Sequence, residues 1–271
     1  MKLYGVFHFF FVSFTFAQTF EYVNLPTSLN ETSGLESFKQ GFLTHNDSGN
    51  TSSIFYINSN GNILFQKNYP EIENFDWEDI TKDTDFFYIA DSGNNYDTRK
   101  NLRILKFDIN TLNYVGAINF NYTAQKDFSS NPKSEFDAEA LVNFQDNLVL
   151  FSKNRKYKNT QLYLVPKKVG EYDLVKFGEL DSNLIVTGAD YCQSSGLLVL
   201  TGTKDFSEYE IQIYERFDFT SLTYKNKKII PIPFDSVQVE AVKIINSSTL
   251  MITSENEDNS KNPSLIKVDF N

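Results

Sequence analysis

Apolar residues in this chain fall in short runs that alternate with polar ones, and a helical rhythm is nearly absent. Period-two alternation between clusters of Gly, Asn, Asp and Ser predicts β-strands joined by turns. The first stretch shows the unit. After Glu36 come Gly41-Phe42-Leu43-Thr44, the polar tip His45-Asn46-Asp47-Ser48-Gly49-Asn50, then Ile54-Phe55-Tyr56-Ile57, an Asn60-Gly61 turn and Ile63-Leu64-Phe65. A second unit follows the same order, with strands over 78–80, 86–90, 102–107 and 115–120 around the tip Asp91-Ser92-Gly93-Asn94-Asn95. Three further units start at Glu139, Asp190 and Glu240, and the last has no fourth strand before the chain ends.

The phrases that open these units, Gly34-Leu35-Glu36, Asp76-Trp77-Glu78-Asp79-Ile80, Asp137-Ala138-Glu139-Ala140-Leu141, Gly188-Ala189-Asp190-Tyr191 and Val239-Glu240-Ala241-Val242, return about every 50 residues. A unit of this size cannot bury its own apolar face and must stack on its neighbours. The expected fold is therefore all-β: a single β-propeller of five four-stranded blades. The segment Thr19 to Leu25 completes the fifth sheet and closes the ring, because a sheet edge has to be paired or protected. The opening acids lie 42, 61, 51 and 50 residues apart. If the long second interval hides a further element, the ring has six blades; residues 121–135 are polar and contain Asn131-Pro132, which reads as a loop. Phe and Tyr, numbering 26 and 15, suit the wedge between neighbouring blades.

Composition then narrows the setting. Lys2 precedes an apolar run from Leu3 to Phe14, and Thr15-Phe16-Ala17 offers a small residue for cleavage. This is the pattern of a secretory signal peptide over residues 1–17, leaving a propeller domain over 18–271 that is secreted or periplasmic and not inserted in a membrane. Without Lys2 the formal charge falls from −10 to −11. Such a balance disfavours nucleic acid and suits cation binding. Cys192 is the only cysteine, so no internal disulfide can form. No linker divides the domain, and a monomer is expected.

A propeller gathers equivalent positions of all blades around one axis. Glu36, Glu78, Glu139, Asp190 and Glu240 would then converge, joined by Asp76, Asp79 and Asp91 from the densest acidic stretch. Like charges in a narrow site repel, and a divalent cation relieves the repulsion. Calcium fits best, since it accepts six to eight oxygen ligands in flexible geometry. Zinc does not, because His45 is the only histidine beyond the signal segment. The alternative is structural: each acid caps a turn or pairs with a basic residue of the next blade. Asp47, Trp77, Lys153 and Arg155 are the candidate ligand contacts near the same mouth. No nucleophile elbow, catalytic triad or phosphate-binding glycine loop is present.

Ser33-Gly34-Leu35-Glu36, Asn46-Asp47-Ser48, Asp76-Trp77-Glu78-Asp79-Ile80, Tyr88-Ile89-Ala90-Asp91-Ser92-Gly93-Asn94-Asn95 and Asp137-Ala138-Glu139-Ala140-Leu141 together resemble the SdiA-regulated family of secreted bacterial propellers. The chain is more distantly similar to phytase-like and esterase-like propellers. That resemblance implies an exported propeller with a calcium site. The fuller acidic and basic sets of propeller phytases are not matched. Two functions stand at this point: binding of a small-molecule or cell-envelope ligand at a calcium-bearing mouth, and metal-dependent hydrolysis of phosphoesters or esters by the acids around Glu78 and Glu139.

Overall fold

A computed structural model describes residues 18–233, 238–255 and 262–270, so the expected signal peptide lies outside the described residues. Five antiparallel sheets form the molecule. Blade 1 runs through Thr32–Phe38, Gly41–Asn46, Ser53–Asn58 and Ile63–Asn68, and blade 2 through Trp77–Lys82, Phe86–Asp91, Arg103–Asp108 and Tyr114–Tyr122. Blade 3 uses Ala138–Phe144, Asn147–Ser152, Thr160–Pro166 and Lys176–Leu180, and blade 4 Ile185–Cys192, Leu197–Thr203, Tyr209–Glu215 and Asn226–Pro231. Blade 5 consists of Gln238–Asn246, Thr249–Glu255 and Ser264–Asp269, completed by Thr19–Asn24.

The closing strand pairs antiparallel with the last one, from Thr19 opposite Asp269 to Asn24 opposite Ser264, as edge protection demands. The first strand of each blade contacts the first strand of both neighbours, so these five strands line the axis. Residues 123–137 hold no strand, which leaves five blades and removes the six-bladed alternative. One detail departs from the repeat. Gly170–Leu174 pairs in parallel with Tyr114–Tyr122 of blade 2, and the fourth strand of blade 3 begins only at Lys176. The long outer strand of blade 2 would otherwise expose a row of unpaired backbone groups, and this fifth strand covers it while strapping blades 2 and 3 together.

Alternation places apolar side chains on both faces of each sheet, and they meet in five clusters between successive blades. Aromatic rings fill the widening wedge: Tyr122 and Tyr163 lie 4.6 Å apart between blades 2 and 3, and Phe219 packs on Phe144, Tyr191 and Phe217 between blades 3 and 4. Such pairs add about 0.5–1.5 kcal/mol each beyond area burial.

Candidate functional site

The inner strands share a feature that alternation does not announce. Each carries a β-bulge at the same level, between Ser33 and Leu35, Trp77 and Asp79, Ala138 and Ala140, Val186 and Gly188, and Val239 and Ala241. The bulged residues are Gly34, Glu78, Glu139, Thr187 and Glu240. A bulge inserts one residue and re-aims its side chain. Only three of the five opening acids therefore share a level, while Glu36 and Asp190 lie two and three residues further along their strands.

At the bulge level a polar cavity of about 450 Å³ opens among the loops. Asp47, Asp76, Glu78, Glu139, Glu240 and Glu255 reach it, together with Lys153, Arg155 and Phe206. Asp137 stands beside it. Carboxylate oxygens of Glu78, Asp137 and Glu139 lie within 4.8 Å of one another, and all three residues are buried. Blades 2 and 3 contribute the same triplet form, Asp76-Trp77-Glu78 and Asp137-Ala138-Glu139, with a bulge at each glutamate. Asp137 was absent from the expected metal set; the repeated spacing is the signal that would have found it.

Local bonds hold these acids in place. Asp137 accepts the Asn94 backbone N–H at 2.7 Å and pairs with the Arg155 guanidinium. Glu139 pairs with the Lys153 ammonium and, at 3.8 Å, with Arg155. The Ser33 hydroxyl donates to the backbone carbonyl of Glu78. Gly93 allows the crowding, since a Cβ there would sit 2.0 Å from Glu78 Oε1 and 2.2 Å from Asp76 Oδ2. Glu78 is different. It is 6% exposed, yet among the described residues no donor reaches its carboxylate at hydrogen-bond or ion-pair distance.

The electrostatics follow from this crowding. Burial, then the carboxylates of Glu139, Asp76 and Asp137, push Glu78 well above the usual carboxylate range. Burial pushes Glu139 up to about 8 against the opposing charge of Lys153. Burial and then Asp137 push Asp76 up to about 6, with a hydrogen bond from Ser48 and the Arg99 charge opposing. Burial acts to lower Lys153, but Glu139, Glu240 and Asp137 outweigh it and raise it.

The other expected site residues go elsewhere. Asp79 is buried below the mouth, where its two oxygens accept the backbone N–H groups of Ile80 and Leu141, both at 2.8 Å, and Ala189 also donates to it. It pins the inner strands of blades 2, 3 and 4. Asp91 is fully buried between Arg99 and Arg103, at 2.9 and 2.8 Å, and accepts the Asp76 backbone N–H. Glu36 and Asp190 share Lys243, at 2.8 and 3.0 Å, in a separate group that joins blades 1, 4 and 5. Trp77, expected as a ligand contact, is fully buried between blades 1 and 2, edge-on to His45 with ring centroids 5.6 Å apart. As the residue before the bulge, it points away from the axis. The site thus gathers Asp47, Asp76, Glu78, Glu139, Glu240, Lys153 and Arg155 from the expected sets.

No family model and no curated protein matches this chain. Among solved structures it is similar to the PQQ-bound form of aldose sugar dehydrogenase from Streptomyces coelicolor, with 9% identity and a TM-score of 0.54 over 93% of this chain and 98% of that one. It is also similar to a glucose dehydrogenase, with 6% identity and a TM-score of 0.52 over 93% and 100% of the two chains. A hypothetical protein from Leishmania major gives 15% identity and a TM-score of 0.50 over 92% and 90%. At such identities the likeness is one of fold, and it supports the propeller.

Proposed function

We propose that this chain is an exported propeller that binds a small-molecule or cell-envelope ligand at its central mouth, with a divalent cation, calcium by its oxygen donors, held by Glu78, Asp137 and Glu139. The observation that carries the reading is Glu78, a buried carboxylate facing two others, with no donor at hydrogen-bond or ion-pair distance among the described residues. Burial and the neighbouring carboxylates outweigh the Lys153 charge at Glu78, and a raised pKa is the relief available without a cation. The charge balance agrees. The cavity's carboxylates, with Asp137 beside them, outnumber Lys153 and Arg155 among the described residues, an excess that a divalent ion reduces. All the candidate ligands are hard oxygen donors, which suits calcium. Export rests on the first 17 residues and fits a protein whose cation is abundant outside cells.

A metal-dependent phosphoesterase has one observation in its favour, the basic pair Lys153 and Arg155 beside the acids. Both are already paired with Glu139 and Asp137. A phosphate would also meet walls on which six carboxylates outnumber two basic groups among the described residues. The geometry therefore favours binding over hydrolysis of an anion.

Calorimetric titration of the chain from Gln18 onward with calcium tests the proposal. One cation per chain is expected, and Glu78→Gln should abolish binding while circular dichroism stays unchanged. Equal binding by the variant would overturn the assignment.

A further inference from the structure

We propose that the half of the mouth built by blades 4 and 5 is a subsite for an organic ammonium ion, a positively charged nitrogen carried on an apolar body. The inference deepens the binding reading above and rests on it for the cavity, not for the metal.

Phe206 carries the first part of the argument. It reaches the cavity and is 51% exposed, an aromatic ring at the rim of an otherwise polar space. Its φ of 65° lies in the left-handed region, which a bulky side chain adopts only when its surroundings impose it. The imposition is visible. Thr203 Oγ1 accepts the Phe206 backbone N–H at 2.8 Å and donates to the Glu208 carbonyl at 2.8 Å, while Asp205 Oδ1 accepts from the Ser207 backbone and hydroxyl at 3.1 and 2.7 Å. The turn holds an apolar, half-exposed side chain at the rim of a charged cavity.

The second part is the field. Glu240 and Glu255 of blade 5 reach the same cavity as Phe206 of the adjoining blade 4. Each has interactions of its own, and their summed potential, concentrated by a low-dielectric wall, is what draws a cation. The protein already seats one such group: the Lys153 ammonium pairs with Glu139 and feels Glu240 and Asp137, its stem buried behind it. An aromatic face attracts a cation over it. Acids with a ring therefore select an ammonium ion with an apolar body over an anion, which the field repels, and over a neutral alcohol, which gains only the apolar contact.

The test pairs each probe with an uncharged isostere: butylammonium with butan-1-ol, and choline with 3,3-dimethylbutan-1-ol. Calorimetric titration of the chain from Gln18, with and without calcium, should show at least one cation binding about tenfold or more tighter than its isostere, less so at high salt. Phe206→Leu keeps an apolar side chain but removes the ring, and should weaken the ammonium about two- to fivefold, the loss of one solvent-exposed cation–π contact. Glu240→Gln should weaken it as well. Glu78→Gln should leave it within about twofold while abolishing calcium binding. Equal binding of cation and isostere, no binding of either cation, or indifference to Phe206→Leu would overturn the subsite. Loss of ammonium and calcium together in Glu78→Gln would place the ammonium in the metal position and also overturn it. Calcium binding without ammonium binding would sink this inference alone, and the reverse would sink the metal assignment alone.

Discussion

Gly93→Ala separates the cation site from the fold with a single methyl group. A Cβ at this position lies 2.0 Å from Glu78 Oε1 and 2.2 Å from Asp76 Oδ2, so both oxygens must withdraw by about 1 Å to reach contact distance. Gly93 does not use left-handed backbone, and the atoms met belong to the carboxyl groups of Glu78 and Asp76, Asp76 Cγ included, so the strain falls first on those two side chains. Crowding costs about 1–3 kcal/mol, and the lost freedom of the unfolded chain returns about 0.4–1 kcal/mol. The metal-free variant should therefore be less stable by about 0–2.6 kcal/mol. A calcium–oxygen bond is about 2.3–2.6 Å long, so a withdrawal of about 1 Å takes Glu78, one of the three ligands, off the ion. With free calcium 100-fold over its dissociation constant, the wild-type protein gains about 2.7 kcal/mol, whereas a site weakened 100-fold gains about 0.4 kcal/mol. For a domain of this size that is a calcium-dependent rise in melting temperature of roughly 5–11 °C against roughly 1 °C. Thermal unfolding followed by circular dichroism, in calcium and then in chelator, reads both numbers. A full calcium-dependent rise in Gly93→Ala would refute the placement of the cation beside Glu78.

Four further outcomes follow from the structure. Lys243→Met should destabilise the protein by about 3–5 kcal/mol in urea unfolding, because it leaves Glu36 and Asp190 buried without their shared cation, and calcium binding to the surviving fold should be unchanged. Asp79→Ala strands three backbone donors at the axis and should cost about 3 kcal/mol or more; a loss under 1 kcal/mol would show that Asp79 does not pin the inner strands. Removing residues 18–24 opens the ring, and size-exclusion chromatography should show the expanded or aggregated chain rather than a compact monomer. The pH dependence is specific in sign. Glu139, raised from 4.5 to about 8, holds its proton in the folded state and sheds it in the unfolded one, so this stabilisation is full below pH 4.5 and is lost as pH rises through 8. His45, lowered by burial from 6.5 to about 4, acts in the opposite sense only below pH 6.5. Between pH 6.5 and 8 the urea midpoint in chelator should therefore fall, and excess calcium should flatten that fall; a rising midpoint in chelator would contradict the site electrostatics.

Much of this fold was legible because a propeller is a repeat of local signals. Period-two alternation, polar tips and the missing fourth strand of the last unit led to five blades and to closure by the segment that became Thr19–Asn24. The fifth strand at Gly170–Leu174 was not legible, since it answers the exposed edge of another blade and carries no signal of its own. The site was legible in part. Counting acids at the start of each unit found Glu78, Glu139 and Glu240, but a bulge shifts register by one residue without marking the composition. Glu36 and Asp190 therefore looked equivalent to the others and fall on a lower level with Lys243. The same register turns Trp77 into the core. Phe206 carried no sequence signal, because its exposure depends on a left-handed turn fixed by Thr203 and Asp205.

A crystal structure grown in saturating calcium shows whether Glu78, Asp137 and Glu139 hold a divalent cation. An anomalous peak is expected about 2.3–2.6 Å from one oxygen of each of the three residues. An empty position there, with Lys153 still paired to Glu139, would contradict that assignment.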